Sequence, residues 1–193
     1  MARKRKKRKK RERGRKQLKA KHIKIAKSTR MVDRMPEITP EHTPQMVVEE
    51  AFAQIKKLGV RIERRRAGKP AVTLRRVMYL PEDFEERPII EQARWIRHEL
   101  LHLWQHIVEG VRFPIRWAAS ARWRCAYELE AGGEGMRTLN RFIDKRAMRR
   151  VIKRRAHAFS DDGLKSTYKL GALHQKRTYD LAHGILLESV GLT

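Results

Sequence analysis

Residues 88–108 read PIIEQARWIRHELLHLWQHIV. Ile89, Ala93, Ile96, Leu100, Leu103 and Ile107 recur at spacings of three and four, which is the apolar face of a helix, and Gly110 supplies its stop. The rest of the chain is read outward from this helix. Upstream, Thr43-Pro44 is a helix start, a cap residue followed by proline in the first turn. Val47, Val48, Ala51, Phe52 and Ile55 give that helix its stripe, and it ends near Gly59. Val60, Ile62 and Glu63 predict a short strand, and Arg64 to Lys69 a basic turn. Ala71 to Leu80 predicts a second strand that Pro81 stops. Downstream, a helix is expected from about Pro114 to Ala131, interrupted at Gly132-Gly133, and another from about Glu134 to Ala158. Ser160-Asp161-Asp162 is a cap for a last helical region, broken at Gly171 and ending near Val190. The expectation is a compact, mostly helical α+β domain with a small sheet over residues 44–193. A linker at 31–43 and a tail at 1–30 precede it.

The tail is a polycation. Of the chain's 47 Lys and Arg, 17 lie in residues 1–30, against one acid, Glu12. The remaining residues hold 30 basic and 21 acidic groups, so a strongly basic tail precedes a moderately basic body. Like charges this dense repel, and the segment has nothing to bury, so disorder is expected. Arg3, Lys4, Arg5, Lys6, Lys7, Arg8, Lys9, Lys10 and Arg11 are candidate contacts to nucleic-acid phosphates. Arg149, Arg150, Lys153 and Arg154 extend the basic surface onto a helix. Lipid head groups and acidic proteins are alternative partners for such charge.

Cys125 is the one cysteine, which excludes an intramolecular disulfide and any Cys-rich zinc finger. No apolar segment follows the basic N-terminus, so a Sec signal is not expected. No stretch has the apolar length of a membrane span, and a cytoplasmic location is expected.

The central helix carries chemistry. His98 and His102 are four apart and share one helix face, close enough to hold one small cation. Zinc accepts two imidazoles and needs a third protein ligand, with water completing a catalytic site. In this motif the carboxylate of Glu99 takes a proton from the water that the metal acidifies. His106 extends the same face, but two steps of four residues place it about 12 Å from His98 along the axis, too far to share an ion. Glu128 is the better third ligand. It lies on the next helix, after Gly110 and Pro114 let the chain turn back. Ala121, Cys125 and Ala131 on its face are small enough for close approach. Glu130 is the second choice. Candidates for stabilising an oxyanion are Tyr127, Arg124, Tyr168, His174, Tyr179 and His183, and nothing in the sequence separates them. Trp95, Trp104, Trp117 and Trp123 are expected at core and helix interfaces.

His98-Glu99-Leu100-Leu101-His102 followed by Glu128-Leu129-Glu130-Ala131 resembles the gluzincin-type zinc metallopeptidases. The stretch from Met78-Tyr79-Leu80-Pro81 through Gly110-Val111-Arg112-Phe113 to Ala131 looks like small HExxH proteins of bacteria and their phages. The resemblance covers about residues 71–131. It implies a zincin-like fold, zinc ligands His98, His102 and Glu128, and Glu99 as general base and acid. One position departs from the pattern. Gly132 stands where an aspartate often orients a motif histidine, and Glu130 and Glu134 are the candidates to replace it. The reading from sequence is a zinc-dependent endopeptidase acting on a peptide or protein substrate, tethered to nucleic acid or a nucleoprotein assembly and encoded by a phage or its host. The alternative is a non-catalytic nucleic-acid-binding or virion protein whose zinc site is structural or vestigial. A protease for protein–DNA crosslinks would bring a third histidine and often a zinc ribbon, and the chain has neither pattern.

Overall fold

A computed structural model of the chain describes residues 35–69, 72–74, 76–160 and 175–192. The basic tail and the start of the linker therefore lie outside the described residues. From Met35 onward the linker packs on the domain: Met35 and Ile38 are buried in the main core, and the carbonyl of Pro36 accepts from Arg97 Nη2 at 2.9 Å.

Helix α1 spans Pro44–Lys57, with Thr43 Oγ1 accepting from the Met46 amide. Gly59, at φ 67°, turns the chain out of it. Strands β1 (Arg61–Arg65), β2 (Val72–Leu74) and β3 (Val77–Pro81) form one sheet in the order β1-β3-β2. β1 runs parallel to β3, and β2 antiparallel to it. Two details differ from the sequence reading. Arg64 and Arg65 belong to β1 and not to a turn, because they pair with Leu80 and Pro81 and Arg64 meets Glu85. The stretch read as one strand over 71–80 folds back between Leu74 and Val77, so that its halves satisfy each other's backbone groups. Pro81 is the last residue of β3, and the ladder passes on through Glu82 N to Arg65 O.

Helix α2 spans Ile89–Glu109 and is the centre of the molecule. Ala93, Ile96, Leu100, Leu101 and Leu103 join residues of α1, Met78, Leu80 and Phe84 in the main core. Ile107, read as part of the core face, is 48% exposed, because α2 has run past the core by its last turn. Gly110, at φ 55°, ends the helix as expected.

The next expected helix is two. Helix α3 (Arg112–Ala119) stops at Ser120, whose extended backbone (φ −142°, ψ 113°) and side chain cap α4 (Ala121–Asn140). Gly132-Gly133 does not interrupt α4. The glycines are kept helical by what packs on them. A Cβ at Gly135 would lie 3.2 Å from Arg94 Cγ and 3.4 Å from the Arg94 carbonyl, and one at Gly133 would lie 3.4 Å from Ser189 Cβ. The true break comes at 141–144, where Asp144 Oδ1 accepts from the amides of Arg146 and Ala147 at 2.8 and 2.9 Å and starts α5 (Lys145–Ser160). Helix α6 spans Gln175–Ser189. The cap read at Asp161-Asp162 and the break at Gly171 lie outside the described residues. Two smaller cores join α4, α5 and α6, one around Cys125, Leu129, Ala156 and Ala182 and one around Met136, Met148, Ile152 and Leu186. The architecture is a mostly helical α+β fold with a small three-stranded mixed sheet, as the sequence leads one to expect.

Candidate metal centre

Helices α2 and α4 pack side by side, and the small residues between them set how close they come. A Cβ on Gly135 of α4 would lie against Arg94 and 3.9 Å from His98 Cβ, so the second helix reaches the first at the turn that carries the motif. Glu128, two turns back along α4, is thereby brought to the histidines.

His98 Nε2 and His102 Nε2 are 3.2 Å apart. Glu128 Oε1 lies 3.2 Å from His102 Nε2, and its Oε2 lies 3.6 Å from His98 Nε2. One donor atom from each residue falls within 4.8 Å of the others. Atoms bound to a tetrahedral zinc at 2.0–2.1 Å are separated by about 3.3 Å, so the set suits a small cation of that kind. All three residues are buried or nearly so, and the donors are borderline nitrogen and hard oxygen, a mixture zinc accepts.

The electrostatics are those of a tightly coupled group. Burial, and then the charge of His102, hold His98 down at about 3, in the neutral form that offers a lone pair. Burial opposes a charge on His102 too, but Glu128 overcomes it and lifts that histidine to about 9. Glu128 itself is held at about 2: burial works against its charge, and His102 more than compensates. Arg155 of α5 contributes positive potential at both His98 and Glu128.

Around the trio stand residues that orient it. His102 Nδ1 lies 2.7 Å from Gln105 Oε1, so a proton on Nδ1 is held by the amide and Nε2 is turned toward Glu128 and His98. Gln105 Nε2 in turn donates to Glu130 Oε2 at 2.9 Å and to the Tyr127 carbonyl. Gln105, with Glu130 behind it, therefore fixes the orientation of the His102 ring. Glu134, the other substitute read from sequence, is bound instead to Arg97 and Arg137. The only sequence signal for Gln105 is its position three residues after His102 on a helix.

Glu99 is buried beside the group and not in it. Its Oε2 accepts from Thr73 Oγ1 of β2 at 2.8 Å, and its Oε1 lies 4.0 Å from His98 Nε2. Burial raises its pKa above the ordinary carboxylate value, His102 and the Thr73 hydroxyl opposing. His106 lies away from the donors, with its ring 4.0 Å from that of Phe113, as the helix rise requires.

The oxyanion candidates are largely occupied elsewhere. Tyr127 is buried among Phe113, Trp117 and Trp123 and donates its hydroxyl to Glu109 at 2.5 Å. Arg124 donates to the carbonyls of Trp117 and Ala118 at the end of α3. Tyr179 stacks on His183 with ring centroids 5.5 Å apart. Tyr168 and His174 lie outside the described residues. Of the basic residues singled out, Arg149, Arg150, Lys153 and Arg154 all lie exposed on the outer face of α5, and the last three line a shallow open depression. Arg3 to Arg11 lie outside the described residues. No family model, curated protein or solved structure matches the chain.

Proposed function

We propose that the chain is a zinc-dependent endopeptidase of gluzincin type, held near nucleic acid by its basic residues. The observation that carries this reading is the pairing of a tetrahedrally spaced His98–His102–Glu128 set with a buried carboxylate that stands beside it. Beyond its bond to Thr73, a structural site has no use for Glu99 at that position. His98, His102 and Glu128 would hold a zinc ion, which would supply Lewis acidity to a water and to the scissile carbonyl. Glu99 accepts the proton at Oε1, because Thr73 holds Oε2, and passes it to the departing amine. Its raised pKa brings it closer to the neutral range, where accepting and returning a proton are both feasible. Gln105 keeps His102 Nε2 directed toward Glu128 and His98. Thr73 sits on an edge strand of the sheet, so an extended peptide has backbone groups of β2 to align with beside Glu99.

The experiment is metal analysis joined to peptide-library cleavage. The purified chain should hold about one zinc, since three protein ligands make one site. Chelation should stop cleavage and zinc should restore it. A zinc-loaded, folded chain that leaves a broad library intact would replace this reading with the second one, a nucleic-acid-binding or virion component whose ion braces α2 against α4. Gly132 in place of the usual aspartate is the feature that favours that alternative.

The outer face of α5 and the tail are proposed to track phosphates. Replacing Arg149, Arg150, Lys153 and Arg154 with glutamine should flatten the dependence of log K on log salt by about 0.9 per lost phosphate contact. An unchanged slope in DNA-binding titrations would leave the tail alone as the nucleic-acid element.

A further inference from the structure

We infer that the corner joining α2 to α3 docks on an anionic lipid surface, with Val111 and Ile115 entering the headgroup layer. Residues 107–124 read IVEGVRFPIRWAASARWR. Of the seven large apolar side chains exposed among the described residues, four lie in this stretch: Ile107, Val108, Val111 at 77% and Ile115 at 63%. Pro114, Ala118 and Ala119 beside them are exposed too. Single exposed apolar residues are ordinary, whereas a contiguous set marks a contact surface. Exposure this high belongs to a ridge that projects from the molecule, formed where Gly110 turns the chain between two helices.

The charge around the ridge selects the occupant. Of the described arginines in this stretch, Arg112 is exposed, Arg124 donates to the carbonyls of Trp117 and Ala118, and Arg116 is paired with the stretch's one acid. That acid, Glu109, has a side chain 8% exposed and is held by Arg116 Nη1 at 2.7 Å and the Tyr127 hydroxyl at 2.5 Å. No carboxylate of the stretch therefore faces outward. Apolar prongs beside the exposed Arg112, on a chain of net charge +25, suit a helix lying in the interface of a negatively charged bilayer. Nucleic acid would take the arginines but offer Val111 and Ile115 nowhere to bury. A second copy would bring a net charge of +25 against another of +25. No described helix is long and apolar enough to cross a membrane, so the contact is a superficial one. The Trp117 ring lies 6.0 Å from that of His102, so docking sets the metal group close to the bilayer, where membrane-held polypeptides would be its substrates. The docking itself does not depend on the peptidase reading.

The test uses the full chain and the charge-neutral variant V111S/I115S, whose sites are exposed and whose melting temperature should match the parent's. Binding to phosphatidylglycerol–phosphatidylcholine vesicles is measured by co-sedimentation. The basic tail is common to both proteins, so their ratio isolates the corner. The variant is expected to bind at least about tenfold more weakly, with DNA affinity and zinc content unchanged. Four results would overturn the inference. The parent binds no vesicles; parent and variant bind them equally; the variant loses DNA affinity in the same proportion; or the variant dissolves a parent dimer while its vesicle binding is unaltered.

Discussion

Glu99→Gln is expected to reduce peptide cleavage by about 10²–10⁴-fold in a protein that still holds zinc. The two side chains have nearly the same shape, and the amide oxygen can still accept from Thr73 Oγ1, which now holds Oε2 at 2.8 Å. Glu99 Oε1 is 4.0 Å from His98 Nε2 and outside the donor set, so the ion keeps its three protein ligands. What disappears is the ability to take a proton at Oε1 and return it. The substitution also removes an ionisable group from a buried place, so stability should fall little. The measurement is steady-state cleavage of a fluorogenic peptide alongside metal content and melting temperature. Retained cleavage in zinc-loaded Glu99→Gln would remove Glu99 from the mechanism, whatever else the chain cleaves.

Glu128→Ala is expected to release the metal. It deletes one of three ligands and also the negative charge that stabilises positive charge between two buried imidazoles, the charge that lifts His102 to about 9. Gln105→Ala supplies the scale. That change leaves His98, His102 and Glu128 in place and removes the bonds of Gln105 to His102 Nδ1, Glu130 and the Tyr127 carbonyl, and losses of this kind weaken metal binding by about 10–100-fold. Glu128→Ala should exceed that range when both variants are titrated against a chromophoric zinc chelator. A second readout is heat denaturation with and without zinc. An ion that binds only the folded chain raises its melting temperature, and that increment should vanish in Glu128→Ala. Stoichiometric zinc in Glu128→Ala would show that the ion is held elsewhere.

Parts of this arrangement are legible before any coordinates. The 88–108 helix announces itself because an apolar period of three to four survives over five turns, and the His98–His102 pair inherits its geometry from that period. Glu128 is legible in part through Ala131, which packs in the main core with α2, whereas Cys125, read for the same face, packs against Ala156 of α5 and Ala182 of α6. The glycines mislead. Gly132-Gly133 is a break if nothing packs there and a contact surface if something does, and only the positions of Leu186 and Ser189 decide between them. The stop at Ser120 is hidden because Ala118, Ala119 and Ala121 around it are good helix formers. The fold-back between Leu74 and Val77 is hidden because it contains no glycine, proline or asparagine. Thr73 and Gln105 are invisible for a different reason: each acquires its role from a partner, Glu99 or His102, that the chain brings to it only in three dimensions.

The run Gly132, Gly133 and Gly135 has a last consequence. Each glycine weakens an isolated helix by about 1 kcal/mol relative to alanine, so α4 is a helix its own sequence scarcely sustains. It persists through its contacts with Arg94 on one flank and Leu186 and Ser189 on another. The ligands of the metal group thus come from two supports of unequal endurance. The histidines ride on an element that is strong in itself, and Glu128 on one that its neighbours hold in shape. An ion taken up by this group would make its capture and the completion of α4 a single linked equilibrium, in which each half raises the occupancy of the other.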